Sequence, residues 1–156
     1  MKLTISKDLK EILPSFLVSA YTFDLLEKND KEHLSNEISE GLSKIAQEYQ
    51  KNYSLDRVVN IKRIKQTRDG YKKLGKDPSH TRAACEALLR RIIKDGKIYR
   101  LGNVIDVGNL ISLICLKSVC VVDLDQIIGD MADGKDEYIE LFTAEFKLLT
   151  EIGNNY

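Results

Sequence analysis

The sequence predicts an α+β domain in which helices are dispersed among strands around a single core. Three observations lead there. The chain has 156 residues, the size of one domain. Leu34, Ile38, Leu42, Ile45 and Tyr49 recur at spacings of four, four, three and four, which is helical periodicity. Val119-Cys120-Val121-Val122 is a β-branched run of the kind found in buried strands. Elements mixed in this order favour α+β, or α/β with a mixed sheet, over a helical bundle.

The elements follow in chain order. Lys2 to Ile5 alternate polar and apolar, a short strand signal. Ser6 caps a brief helix to Leu13, which Pro14 ends. Ser15 to Leu26 is rich in aromatic and branched residues and reads as a strand, with helix as the competing reading. Asp30 to Tyr49 is the clearest helix, with Glu32, Glu37, Glu40 and Lys44 on its other side. Residues 50–76 form a polar, basic connection with a short apolar element at Val58–Ile64, closed by Tyr71, Leu74 and Gly75. Asp77-Pro78-Ser79 is a turn into a helix that Ser79 caps. Ala84, Ala87, Leu88 and Ile92 line its inner face; Arg82, Glu86, Arg90 and Lys94 lie away from it, and Asp95-Gly96 ends it.

Asp106 begins a third helix, with its side chain capping the amide of Gly108 or Asn109. Val107, Leu110, Ile111 and Ile114 form its buried stripe, to about Lys117. Residues 123–134 are acidic, with Gly129 and Gly134, and read as a turn region. The stretch 137–150 fits a helix or a hairpin strand.

Composition narrows the function classes. Hydrophobic residues make up 43% and charged residues 31%, which excludes disorder along the whole length. No apolar run reaches the ~18 residues that span a bilayer. The start, MKLTISKDLKEILPSF, carries charges in its first apolar stretch and lacks a small-residue cleavage site. Three cysteines, Cys85, Cys115 and Cys120, are an odd count for a disulfide framework and fit a reducing cytoplasm. His33 and His80 are the only histidines, and Cys115 and Cys120 lack zinc-ligand spacing, so no metal and no cofactor is expected.

The net charge of zero hides a split. Residues 61–100 hold 13 Lys/Arg against 4 Asp/Glu, a local +9; residues 123–151 hold 9 acids against 2 bases, a local −7. The basic stretch either follows a phosphate backbone or is a solvated face balanced elsewhere in the fold.

From Arg68 onward the sequence is patterned. RDGYKKLGKDPSHTRAACEALLRR, Arg68 to Arg91, resembles a block of free-standing proteins related to the editing domain of the phenylalanyl-tRNA synthetase beta chain. Tyr71, Leu74, Gly75, Lys76, Asp77, Pro78, Ser79, Arg82, Glu86, Ala87, Leu88, Leu89, Arg90 and Arg91 fit its pattern; Ala84 and Cys85 stand near its usual Ser. NVIDVGNLISL, Asn103 to Leu113, is similar to the beta-chain motif N-x-V-D-x-x-N-Y/L-V. VDLDQIIGD, Val122 to Asp130, is similar to D-L-D-K-I-x-G-D.

The resemblance implies a single domain over 1–156, strongest over 68–130, with a mixed sheet flanked by helices. It also implies metal-free hydrolysis of the ester joining a wrong amino acid, chiefly tyrosine, to the phenylalanine tRNA. The family domain continues past the third block. Here the match fades after Gly134, so the chain is a shortened member or its tail is divergent, and a second copy is one source of the missing pocket wall.

Ester hydrolysis needs a placed water, oxyanion donors and a side-chain pocket. Asp106, Gly108 and Asn109, at the expected helix N-terminus, offer free amides, close backbone approach and a donor–acceptor side chain. On this reading Gly108 and Asn109 are catalytic, and Asp106, Cys120 and Asp123 bind substrate. The alternative is that Asp106 is only a cap and Asn109 only satisfies a neighbouring loop. Two departures weaken catalysis: Gly108 replaces the family's Thr, and Cys120, before Asp123, replaces its His. No histidine is placed to activate Cys120, which reads as packing.

Lys72, Lys73, Lys76, Arg82, Arg90 and Arg91 are the candidate contacts to the tRNA acceptor end, through phosphates. The alternative is that Arg82 and Glu86, four apart, pair on the helix and the rest are solvated. His80 reads as a surface residue. A module that binds tRNA, an aminoacyl group or a partner without chemistry is the second functional expectation, and a structural remnant or dimer the third.

Overall fold

The computed structural model describes residues 5–21 and 31–123. Those residues are helical: α1 (Lys7–Ile12), α2 (Lys31–Asn52), a 3-10 turn (Val58–Asn60), α3 (Lys62–Lys73), α4 (Ala84–Asp95) and α5 (Asn103–Cys115). No strand occurs among them, so the expected mixed sheet flanked by helices is corrected to a helical arrangement. The strand reading of Val119–Val122 fails because that stretch is irregular and exposed, so its branched side chains are not enclosed on two faces. Residues 15–21 form a turn and an irregular stretch. The strand expected at Lys2–Ile5 lies mostly outside the described residues, as do the second half of the 15–26 reading, the turn region after Asp123 and the 137–150 element.

Local rules explain the helix ends. Ser6 Oγ accepts from Leu9 N–H at 3.3 Å, capping α1. Gly96 adopts φ 70°, the left-handed conformation that ends α4, and its N–H donates to Ile92 O at 2.8 Å. Asp77 Oδ1 accepts from Ser79 N–H at 2.8 Å, so the turn is held by Asp77, not by a Ser79 cap. α4 starts later, at Ala84 after Ala83.

Three helices, α2, α4 and α5, pack against one another. Ile38, Leu42, Ala46 and Tyr49 of α2 meet Cys85, Leu89 and Ile92 of α4 and Leu113 of α5 in one core. Gly41 lets α5 come close, since a Cβ there would stand 3.0 Å from Leu110. Tyr49 Oη donates to Leu113 O at 2.7 Å, tying α2 to the end of α5. α3 joins through the 3-10 turn, with Val58, Ile64 and Tyr71 buried. Among the described residues no helix is long and apolar enough to cross a membrane.

The inner faces of α4 and α5 are rotated from those the apolar pattern selects. α4 buries Cys85, Glu86, Leu89 and Ile92, while Ala84, Ala87 and Leu88 are half-buried. α5 buries Asp106, Gly108, Ser112 and Leu113, while Ile111 and Ile114 are exposed. Both rotations bring a carboxylate inward, and each carboxylate arrives with arginine partners. Burying a charge without such partners costs several kcal/mol, so the partners permit the rotation.

Candidate functional site

α5 begins at Asn103, with Gly102 (φ 129°) as its N-cap, one turn earlier than its sequence suggests. Asp106, Gly108 and Asn109 therefore lie inside the helix. Asp106 N–H already donates to Gly102 O at 2.9 Å, and residues this far into a helix spend their N–H groups on the carbonyls four before them. The free amides expected at 106–109 are not there.

Asp106 is fully buried and its carboxylate is occupied. Oδ1 accepts from Leu101 N–H at 3.0 Å; Oδ2 accepts from Gly102 N–H at 3.1 Å and from Arg100 Nε at 2.6 Å. It caps backward onto the loop before the helix, not forward onto Gly108 or Asn109. Burial pushes its pKa up, but the Arg100 guanidinium and the two amides outweigh burial and hold it below the usual aspartate value. Arg100 extends the link to α2, donating to Ser35 O at 3.1 Å and Ser35 Oγ at 3.3 Å.

Gly108 is covered. The irregular segment 118–123 passes over it, and a Cβ on Gly108 would stand 2.7 Å from Val121 Cγ2. Glycine here makes room for a packed side chain of the same chain. Replacing a helix-interior glycine by alanine usually gains about 1 kcal/mol. Gly108→Ala is expected to fall well short of that gain, and Gly108→Ala with Val121→Ala to recover it. Urea unfolding of the two single variants and the double variant measures the difference.

Asn109 is half-buried on α5, and Cys120 and Asp123 are exposed on the segment that covers Gly108. Ser118 Oγ donates to Cys85 Sγ at 3.7 Å, which pins that segment to α4. Burial raises the Cys85 thiol, the opposite of an activated nucleophile. Cys85, Cys115 and Cys120 are unbridged. Among the described residues no three His, Cys, Asp or Glu side chains converge as a metal site.

The candidate tRNA contacts divide by residue type. Glu86, buried on α4, gathers three arginines. Arg68 Nη1 donates to Oε1 and Oε2 at 3.0 and 3.1 Å, Arg90 Nε donates to Oε1 at 2.9 Å, and Arg82 Nε stands 3.7 Å from Oε1. Arg68 also donates to Pro78 O at 3.0 Å, and Arg90 to Leu55 O at 3.2 Å. Arg63 donates to Cys115 O. Arg82 and Arg90 thus belong to the scaffold around Glu86. Planar guanidinium forks suit buried carboxylates, whereas compact ammonium groups stay hydrated, which explains the division.

The lysines face outward. Lys62, Lys65, Lys72 and Lys73 fall within about 100° of arc on α3, opposite the buried Ile64 and Tyr71. All four are exposed, and Lys76 follows just after the helix, also exposed. Asp69 lies among them, so the face carries four positive charges and one negative. Arg91, on α4, is half-buried. Lys62 and Lys65 are not among the contacts expected from the sequence because residues 50–76 read as a connection; the available signal was their spacing, Lys62 to Lys65 three apart and Lys65 to Lys72 seven apart, which keeps them on one helix side.

Comparison of the chain with protein-family models, with curated proteins and with solved structures finds no match.

Proposed function

We propose that the chain is a tRNA-binding module, which takes the acceptor end of a tRNA on the lysine face of α3. The carrying observation is the sorting of cations: Arg63, Arg68, Arg90 and Arg100 are spent on backbone carbonyls, Glu86 and Asp106, while Lys62, Lys65, Lys72 and Lys73 stand exposed on one face of α3 and Lys76 is exposed just after it. Lysine charges on one helix face match a spaced row of phosphates and need no pocket. The three ordered blocks from Arg68 to Asp130 supply the tRNA class. The reading places the protein in the cytoplasm.

A second reading, hydrolysis of a misacylated tRNA ester, rests on Asn109 within the Asn103–Leu113 block. It ranks lower because the Asp106 carboxylate is already bonded and Gly108 is covered by Val121.

Both are tested with labelled tRNA(Phe). Anisotropy titrations at rising salt are expected to give an affinity that falls steeply with salt. Changing Lys62, Lys65, Lys72 and Lys73 to Gln is expected to weaken binding at least about tenfold and flatten the salt slope, each lost phosphate contact removing about 0.7–0.9 from it. No binding at low salt, or full binding by the variant, overturns the module reading. Ester loss from tyrosyl-tRNA(Phe) above that of a Gly108/Asn109 double variant restores the hydrolase reading in its place.

A further inference from the structure

Glu86 gathers more cation than it can neutralise. Arg90 Nε, Arg68 Nη1 and Arg82 Nε stand 2.9, 3.0 and 3.7 Å from the same oxygen, Oε1. Three guanidiniums against one carboxylate leave two positive charges in surplus. The Arg68 and Arg90 side chains are only 16% and 24% exposed, so water screens that surplus poorly. Lys76 and Asp77, adjacent on the turn and both exposed, offset each other. Each guanidinium also carries five N–H donors, more in sum than two carboxylate oxygens accept.

The outermost member is Arg82, 39% exposed. Beside the cluster, exposed Ser79 accepts at Oγ from Arg68 Nη2 at 3.4 Å, on a turn held by the Ser79 N–H to Asp77 bond. α4 begins two residues after Arg82 with no side-chain cap from Ala83, and the positive end of its dipole adds to the same side. Arg68 lies three residues after Lys65 and four before Lys72, which makes them neighbours on the surface of α3. The cluster therefore adjoins the lysine face.

We infer that Arg82, Arg68 and Ser79 form a site for a phosphate monoester, and that its occupant is the 5′-terminal phosphate of the tRNA lying on the lysine face; the choice of occupant rests on the tRNA-binding reading above. A backbone diester carries one negative charge, whereas a terminal monoester carries about 1.5 to 2 near neutral pH, which matches the surplus. Guanidinium forks bind phosphate through paired, charge-assisted hydrogen bonds, and lysines bind it as point charges. The lysine row thus holds successive diesters, while the arginine cluster fixes the end of the strand and with it the register of the acceptor stem.

The test uses the whole chain. NMR of the arginine Nε–H groups follows a titration with inorganic phosphate at constant ionic strength, with chloride as the control. Saturable shifts of the Arg68 and Arg82 signals are expected, and their loss in Arg82→Gln, with unmoved α2 amides showing that the variant is folded. Shifts that never saturate, or that chloride reproduces, overturn the site. In the second arm, tRNA(Phe) with its 5′ phosphate is expected to bind at least about tenfold tighter than the same tRNA after phosphatase treatment. Arg82→Gln is expected to remove that preference. Equal affinities beside a saturable phosphate shift assign the site to the free anion and overturn the RNA occupant. Failure of both tRNAs to bind overturns the module reading and the RNA occupant with it, while the phosphate titration alone decides the site.

Discussion

Glu86→Ala is expected to destabilise the protein by about 3–5 kcal/mol, the largest effect of any single change outside the apolar core. Glu86 is 1% exposed and takes hydrogen bonds from Arg68 and Arg90 at 2.9–3.1 Å. Removing it leaves guanidinium groups desolvated beside a cavity with nothing to neutralise them. The damage spreads because the same arginines hold other elements: Arg68 grips the 77–79 turn through Pro78 O, and Arg90 grips Leu55 O ahead of the 3-10 turn. The arginine variants separate this account from simple loss of packing. Arg68→Met, which removes a half-buried donor at hydrogen-bond distance, is expected to cost more than Arg82→Met. Arg82 is 39% exposed and stands 3.7 Å from the carboxylate, beyond hydrogen-bond distance. Chemical unfolding of the three variants measures this. Equal losses for Arg68→Met and Arg82→Met contradict the assignment.

Asp106→Ala is expected to cost about 2–4 kcal/mol at neutral pH, since it deletes one charge-assisted and two amide hydrogen bonds at a buried carboxylate. The loss has a defined pH signature. The folded pKa of Asp106 lies below the usual 3.8, so its ionised form is favoured by folding. Its contribution is therefore complete above the unfolded value and disappears as pH falls through the lower folded value. Unfolding free energies of wild type and Asp106→Asn, measured from pH 7 down through 3.8, are expected to converge at the acid end. A gap that stays constant with pH shows that the Asp106 charge plays no part. Because Arg100 also binds Ser35, the variant is further expected to loosen the 97–102 loop from α2, read as faster amide exchange at Leu101 and Gly102.

The sequence revealed the elements whose signals are local and missed those whose signals are relational. Ser6, the four-four-three-four repeat of α2 and Gly96 each act within a few residues, and each marks its helix correctly. α3 escaped notice because only Ile64 and Tyr71, seven apart, face inward, and its lysine-rich exterior resembles a connection. The mixed sheet was inferred from the family resemblance and from strand signals, the branched residues at 119–122 among them, but β-branching describes a side chain that fits a strand, not a backbone that has found a partner. The faces of α4 and α5 were misassigned for one reason: counting apolar residues cannot register a carboxylate that brings its own arginine from elsewhere in the chain. Arg68 lies 18 residues before Glu86, a separation invisible to helical periodicity. At the candidate site the start of α5 was misplaced because its N-cap is Gly102, which carries no capping side chain, while Asp106 has the composition of a cap.

The bond from Tyr49 to the last turn of α5 has an optical consequence. The chain contains no tryptophan, so its near-ultraviolet signal comes largely from seven tyrosines. Tyr49 is enclosed, bonded to a carbonyl, and set edge-on to Tyr53 with ring centres 5.5 Å apart. Such a fixed, asymmetric ring pair makes a disproportionate contribution to circular dichroism in that band. The molecule thus carries its own spectroscopic gauge of helix docking, readable without a dye.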